Sequence, residues 1–429
     1  MARISSLHKP KGGKKGPTTV KILILLIIFT FVYHYIRLVY RIIIVLKEDN
    51  LPYTSTSDKD QQIIRPSVSV SHNARPPACT AVQKSTIMKQ LTPTKCTKEF
   101  PPFYQKCSLT KATKCPKQSW ITSYYQDLNS SNDIQDKGDL SKSFVAVYVG
   151  CNKGYDAVNT LRMGTRNSRF NKDDWHNELQ ESYGSVCGQN GSDSEFPLLS
   201  SSKSTDDKNI IKGSVYCIEP MPTTAQNLMS SAKNLGWDNQ LFVTHAAISN
   251  KVGSAYFEVS NALVGEENKG LGTCELAAKV NPEAFKKNCK KVDVYTLDYY
   301  MDNISNKKSD SLIDLLSIDV EGYDFDVMIG GQKTLPRTKY LEFEYNWMGA
   351  WANQELIDAI KMLDSHHFTC YWAGMENLWR VDESCWLDHY NYHAWSNVAC
   401  VNRNLDPLLA KRMEDLFLRT LNDKDSIQY

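Results

Sequence analysis

Two carboxylates close an apolar run late in this chain: Leu312-Ile-Asp-Leu-Leu-Ser-Ile318 leads into Asp319-Val-Glu321-Gly322. Acids two residues apart on a strand share a face while the extended geometry persists, so Asp319 and Glu321 would meet one ligand together. One would hold an amino or hydroxyl donor and the other would take a proton. Desolvation at the end of an apolar run raises a carboxyl pKa, which favours Asp319 as the base. Asp also starts helices often, so a capping Asp319 beside a solvated Glu321 is the competing reading. Glu342 and Glu344 repeat the spacing in Tyr340-Leu-Glu-Phe-Glu-Tyr345. Glu344, nearer the carboxyl end, would bind a substrate hydroxyl or close an ion pair at the sheet end.

A second constellation lies upstream. Phe144-Val-Ala-Val-Tyr-Val-Gly150-Cys-Asn152-Lys-Gly154-Tyr is an apolar strand entering a glycine turn, and Val215-Tyr-Cys-Ile-Glu219-Pro220 is a strand ending in an acid. In that order they form a cradle for an adenosine cofactor: glycines admit the ligand to the backbone, and the carboxylate accepts from ribose hydroxyls. His245-Ala246-Ala247 ends the next apolar run. His245 is the one other candidate base, although a lone His is more often a hydrogen-bonded structural residue.

The elements that must position these groups follow from the hydrophobic pattern. Strands are expected at 144–150, 214–219, 241–248, 254–259, 292–297, 312–320 and 340–345, with helices at 155–163, 223–235, 325–330 and 354–363. That alternation predicts an α/β fold with parallel strands and right-handed crossovers. The last two strands, 367–373 and 394–402, are joined by a long loop, which predicts an antiparallel pair at one sheet edge. A polar insertion at 164–213 is a lid, a substrate-facing loop or a surface excursion.

Outside this domain (141–429) the composition changes. Residues 1–19 carry Arg3, Lys9, Lys11, Lys14 and Lys15 and no acid, and an apolar run continues through residues 20–46. A cleaved signal and an organelle-targeting peptide compete with an uncleaved transmembrane signal anchor. No small-residue cleavage site follows, so the anchor is favoured, with its basic end in the cytosol and the catalytic domain in the Golgi or ER lumen. Residues 47–140 are proline-rich and polar and read as a lumenal stalk, in which Cys79, Cys96, Cys107 and Cys115 form disulfides or, less regularly spaced than ligands should be, bind zinc. Sequons at Asn129, Asn190 and Asn303 fit a lumenal glycoprotein. A net charge of +2 gives no reason to expect nucleic acid.

The chain resembles the FkbM-type methyltransferases over residues 144–403. The likeness rests on Val149-Gly-Cys-Asn-Lys-Gly154-Tyr, Ile218-Glu-Pro220, Thr296-Leu-Asp298, Ser317-Ile-Asp-Val-Glu-Gly-Tyr323 and Tyr340-Leu-Glu-Phe-Glu-Tyr345. It implies a Rossmann-like seven-stranded sheet with helices on both faces and an antiparallel last strand. It implies S-adenosylmethionine as methyl donor, a hydroxyl acceptor, and cofactor contacts from Gly150, Asn152, Gly154, Glu219, Pro220, Ala246 and Ala247. Tyr148 stands where such enzymes usually place an acid. For the acceptor, a glycan or small hydroxyl compound, Trp347 and Trp351 are the aromatic candidates because they follow the fifth strand. Two other readings remain: a metal-dependent glycosyltransferase using Asp324-Phe-Asp326, and a membrane-anchored binding protein with a decayed pocket. No metal is expected in the methyltransferase reading.

Overall fold

The computed structural model describes residues 75–91, 121, 123–125, 143–179, 210–259, 273–305, 311–374, 377–391, 393 and 396–423. The basic tail and the apolar run at 20–46 lie outside these residues. No helix among the described residues is long and apolar enough to cross a membrane.

The strands are β1 (Phe144–Val149), β2 (Gly213–Glu219), β3 (Leu241–His245), β4 (Ala247–Ile248), β5 (Gly253–Glu258), β6 (Cys289–Tyr295), β7 (Ile313–Ile318), β8 (Thr338–Tyr345), β9 (Phe368–Ala373), β10 (Leu378–Arg380) and β11 (Ser396–Asn402). Eight form one sheet in the order β10-β9-β11-β8-β7-β1-β2-β3. β3, β2, β1, β7 and β8 run parallel. Every residue of β1 is buried, as expected for a parallel strand covered on both faces. The one charge inside β7 is tethered: Asp314 accepts from the Val145 N–H and from Lys339 Nζ, both at 2.8 Å, and so ties β7 to both neighbours.

The expected seven strands gain an eighth, because the short β10 adds to the outer side of β9. β9 and β11 pair antiparallel as predicted, but β11 enters between β8 and β9 and the edge belongs to β10. The strand expected at 241–248 is two strands. β3 stays in the main sheet, and β4 pairs with β6 in a separate sheet of order β4-β6-β5. The segments at 254–259 and 292–297 therefore leave the main sheet. Their sequences explain this: Lys290, Lys291 and Asp293 on β6 suit a sheet solvated on one face.

The helices are α1 (Ala81–Leu91), α2 (Tyr155–Thr165), α3 (Lys172–Leu179), α4 (Pro222–Asn234), α5 (Thr273–Val280), α6 (Pro282–Asn288), α7 (Leu297–Asn303), α8 (Asp324–Ile329), α9 (Leu356–Ser365) and α10 (Pro407–Asn422). α1 falls in the stretch read as stalk, yet it buries Ile87 and Leu91, and its Gln90 donates to the Thr420 carbonyl of α10 at 2.7 Å. Cys79 pairs with Cys385 rather than within its own cluster; Cys96, Cys107 and Cys115 lie outside the described residues. Three more disulfides join Cys151–Cys217, Cys274–Cys289 and Cys370–Cys400, a pattern compatible with a secretory or lumenal compartment. The start of the predicted insertion is core: Trp175 of α3 is fully buried, stacks on Trp237 and donates to the Lys153 carbonyl at 2.8 Å. Asn303 sits at the end of α7 with its amide bonded to the Tyr299 carbonyl, a helical setting rather than a surface loop.

Candidate active site

The strand order reverses between β1 and β7, so their carboxyl ends diverge into a crevice, the usual ligand position in such sheets. On one side is the glycine turn. Gly150 has φ +84°, and both Gly150 and Cys151 donate their N–H to the Ile218 carbonyl, at 3.0 and 3.3 Å. A Cβ on residue 150 would lie 1.6 Å from the Asp319 carbonyl oxygen, so only glycine fits here.

Glu219 closes the second side. Its Oε2 accepts from the Asn152 N–H at 2.9 Å and its Oε1 from the Met221 N–H at 2.8 Å. The carboxyl is 4% exposed. Burial pushes its pKa up to about 7, the two N–H bonds pull it back, and the nearby Asp319 charge adds a smaller upward push. An acid so poised accepts strongly from a vicinal diol once ionised.

The third side departs from the extended geometry assumed above. β7 ends at Ile318, the Asp319 N–H donates to the Val149 carbonyl at 2.8 Å, and the chain then reverses through Glu321 (φ 54°) and Gly322 (φ +94°). Gly322 approaches the Met348 carbonyl so closely that a Cβ would lie 2.3 Å away. Asp319 and Glu321 both line the cavity because of this turn, not because alternate strand residues share a face. The cap position of α8 is Tyr323, with no side-chain cap, so Asp319 does not serve as the helix cap.

These sides enclose a cavity of about 690 Å³. Of the residues singled out from sequence, Gly150, Asn152, Glu219, Pro220, Ala246, Ala247, Asp319 and Glu321 line it. Gly154 does not; it shapes the turn at φ +74° and packs against Trp175 and Leu228. His245 Nε2 lies 3.2 Å from the Pro220 carbonyl, in the structural role that a lone His more often has. Tyr148 points into the core, where its hydroxyl pairs with Thr160 Oγ1 at 2.6 Å.

Glu344 lies behind the wall rather than in it. Burial first, then the charges of Asp319, Asp324 and Glu321, drive its pKa far up, and Asn346 Nδ2 donates to its Oε2 at 2.7 Å. It is buried and is not among the residues that line the cavity, so it does not face a substrate there. Trp351 is wholly buried; it stacks on Phe325 and donates to the Glu344 carbonyl at 3.0 Å. It is a core residue. Trp347 is 54% exposed and precedes Met348 and Gly349, which do line the cavity.

Sequence reasoning missed Thr224, Lys251, Ser254, Phe257 and Glu275, which also line the cavity. Most come from the small sheet and α5, and nothing local in those polar segments announces a ligand. Met221 carries a signal that was available, since it directly follows Glu219-Pro220 at a strand end.

The donor set suits an adenosyl compound. The turn offers a close backbone approach, Glu219 offers an anchored acceptor for a diol, and Ala246, Ala247 and Ile248 offer an apolar bed for a base. Fold and site together define an α/β protein with a mostly parallel eight-stranded sheet and a cavity at the strand ends. By comparison, residues 187–369 match the model of the methyltransferase FkbM domain. The matched stretch includes Glu219, Asp319–Gly322 and the β8 block, and it begins after the glycine turn. No curated protein matches the chain. One solved structure, described as human methyltransferase 10 domain containing protein, aligns at 7% identity over 67% of this chain and 82% of that one. Its TM-score of 0.27 is too low to bear on fold or function.

Proposed function

We propose that this protein is an S-adenosylmethionine-dependent O-methyltransferase of the secretory pathway, membrane-anchored through residues 20–46. The observation that carries the reading is the meeting of Gly150–Asn152, Glu219 and Asp319 around one cavity at the sheet's switch point, in a chain matching a methyltransferase family. S-adenosylmethionine supplies a methyl group on a sulfonium. The chain has to bind that group, align an acceptor oxygen with it and remove the oxygen's proton.

Glu219 accepts from the ribose hydroxyls while the Asn152 and Met221 N–H groups keep its oxygens fixed. Ala246 and Ala247 take the adenine. Asp319 takes the acceptor proton, and its backbone is held in place by Val149 on one side and by Gly150 on the other. Glu321, turned toward the same space, holds the amino end of the cofactor. Trp347 offers an exposed ring to the acceptor, which suits a sugar face.

The glycosyltransferase reading loses its metal pair. Asp324 is fully buried within α8, while Asp326 accepts from Asn250 and Gln354 at 3.1 and 3.3 Å. Calorimetric titration of the full chain with S-adenosylhomocysteine, without added metal, tests the proposal. Saturable binding at one site per chain is expected, and no binding would overturn it.

A further inference from the structure

Cys151 and Cys217 occupy telling positions. Cys151 sits between Gly150 and Asn152, which both line the cavity, and Cys217 lies on β2 two residues before Glu219. Their disulfide joins the glycine turn to the strand that carries the acid. Neither is otherwise needed for the core of a parallel strand pair, where an apolar residue of similar size would pack as well.

The turn needs such a tether. It holds three residues at positive φ within five positions: Gly150 at 84°, Asn152 at 47° and Gly154 at 74°. A non-glycine residue such as Asn152 pays for that conformation, and it persists only where its surroundings impose it. The surroundings here are the disulfide, the two N–H bonds to the Ile218 carbonyl, and the Asn152 N–H bond to Glu219. That last bond is itself part of the ligand site, because it orients the carboxylate.

We propose that the Cys151–Cys217 disulfide is a positioning pair for the adenosyl site, preorganising turn and acid, so that ligand affinity depends on its redox state. The inference rests on the methyltransferase reading for the identity of the ligand. Reduction consumes two electrons and two protons from a dithiol, which leaves as its own disulfide, and produces two buried thiols. The turn is then free to leave its left-handed conformations, and a ligand must reorder it on binding. Linkage makes the effect reciprocal: a ligand that prefers the oxidised form protects the disulfide by the same factor. A tenfold preference would lower the potential of the couple by about 30 mV.

The test measures S-adenosylhomocysteine affinity for the full chain in the oxidised state, after dithiothreitol, and in the Cys151→Ala/Cys217→Ala double variant. Cys370→Ala/Cys400→Ala is the control, since that pair joins β9 to β11 away from the cavity. Mass mapping of alkylated thiols verifies which pair is open. An affinity loss of about tenfold is expected on opening Cys151–Cys217, with little change in the control. Saturating ligand should also slow alkylation of Cys151 and Cys217 and not of Cys370 and Cys400. Equal affinity with the pair verified open would overturn the inference.

Hydrogen exchange at residues 150–154 of the ligand-free protein keeps the two readings separable. If neither redox state binds the ligand, the methyltransferase reading fails, and exchange decides the tether by itself. Faster exchange on reduction, with the melting temperature otherwise retained, supports it; unchanged exchange rejects it.

Discussion

The carbonyl oxygen of Asp319 occupies the space that a side chain on residue 150 would fill, with 1.6 Å between that oxygen and a Cβ built on Gly150. The glycine turn and the proposed base are thus one packed unit. A change in the turn must move Asp319, even though 169 residues of sequence separate them.

Gly150→Ala should therefore be far more damaging than loss of conformational freedom alone. A cost of about 2–4 kcal/mol is expected, with loss of S-adenosylhomocysteine binding. Gly236→Ala is the control, because Gly236 also has positive φ (64°) but nothing within 4 Å of its Cβ position. It should cost roughly 1 kcal/mol and leave binding intact. Thermal melts and titration of both variants check this.

Glu219 makes a prediction about pH. Its folded pKa is raised from 4.5 to about 7, so the ligand-free folded state binds more protons than the unfolded chain between those values. The stability contributed by protonated Glu219 is full below pH ~4.5 and lost as pH rises through about 7, an amount on the order of 3 kcal/mol. Glu219→Gln should flatten that slope in denaturant titrations at pH 5 and pH 8. Ligand affinity should move the other way, rising with pH as the acceptor carboxylate forms, and Glu219→Gln should lose that rise.

Asp319→Asn preserves the backbone packing against Gly150 and removes the base. Methyl transfer should fall on the order of 10²–10⁴-fold. S-adenosylhomocysteine affinity should stay within about threefold, because the backbone that shapes the turn is unchanged. A variant that retained full turnover would transfer the role of base elsewhere.

The two tryptophans after β8 should behave oppositely. Trp351→Ala opens a cavity beneath Phe325 and Tyr345 and should cost about 3–5 kcal/mol. Trp347→Ala should leave stability within about 0.5 kcal/mol, as expected for an exposed position. Its signature would be a raised KM for the acceptor with cofactor affinity unchanged. Equal destabilisation by both would remove Trp347 from the acceptor site.

Much of the fold and half of the site were legible because they depend on local pattern. Apolar runs identified β1, β2, β7 and β8, and glycine spacing identified a turn that needs positive φ. Acids at strand ends identified Glu219 and Asp319. These signals are carried by side-chain period and backbone sterics, which act within a few residues. The sequence by itself thus determined an α/β sheet, a glycine turn facing an acid at the next strand's end, and the likeness that residues 187–369 bear out.

Tertiary structure decided everything that depends on residues far apart in the chain. Only the fold shows that Gly150 is dictated by Asp319, that Cys79 pairs with Cys385 and Cys151 with Cys217, and that Glu344 and Trp351 are buried behind the wall. It likewise decided that residues of a small separate sheet line the cavity. Strand spacing could not show that Glu321 turns back at φ 54°, because that turn is fixed by Gly322 packing on Met348 in another loop. Such packing follows from which surfaces meet after the sheet assembles. No local pattern encodes that meeting.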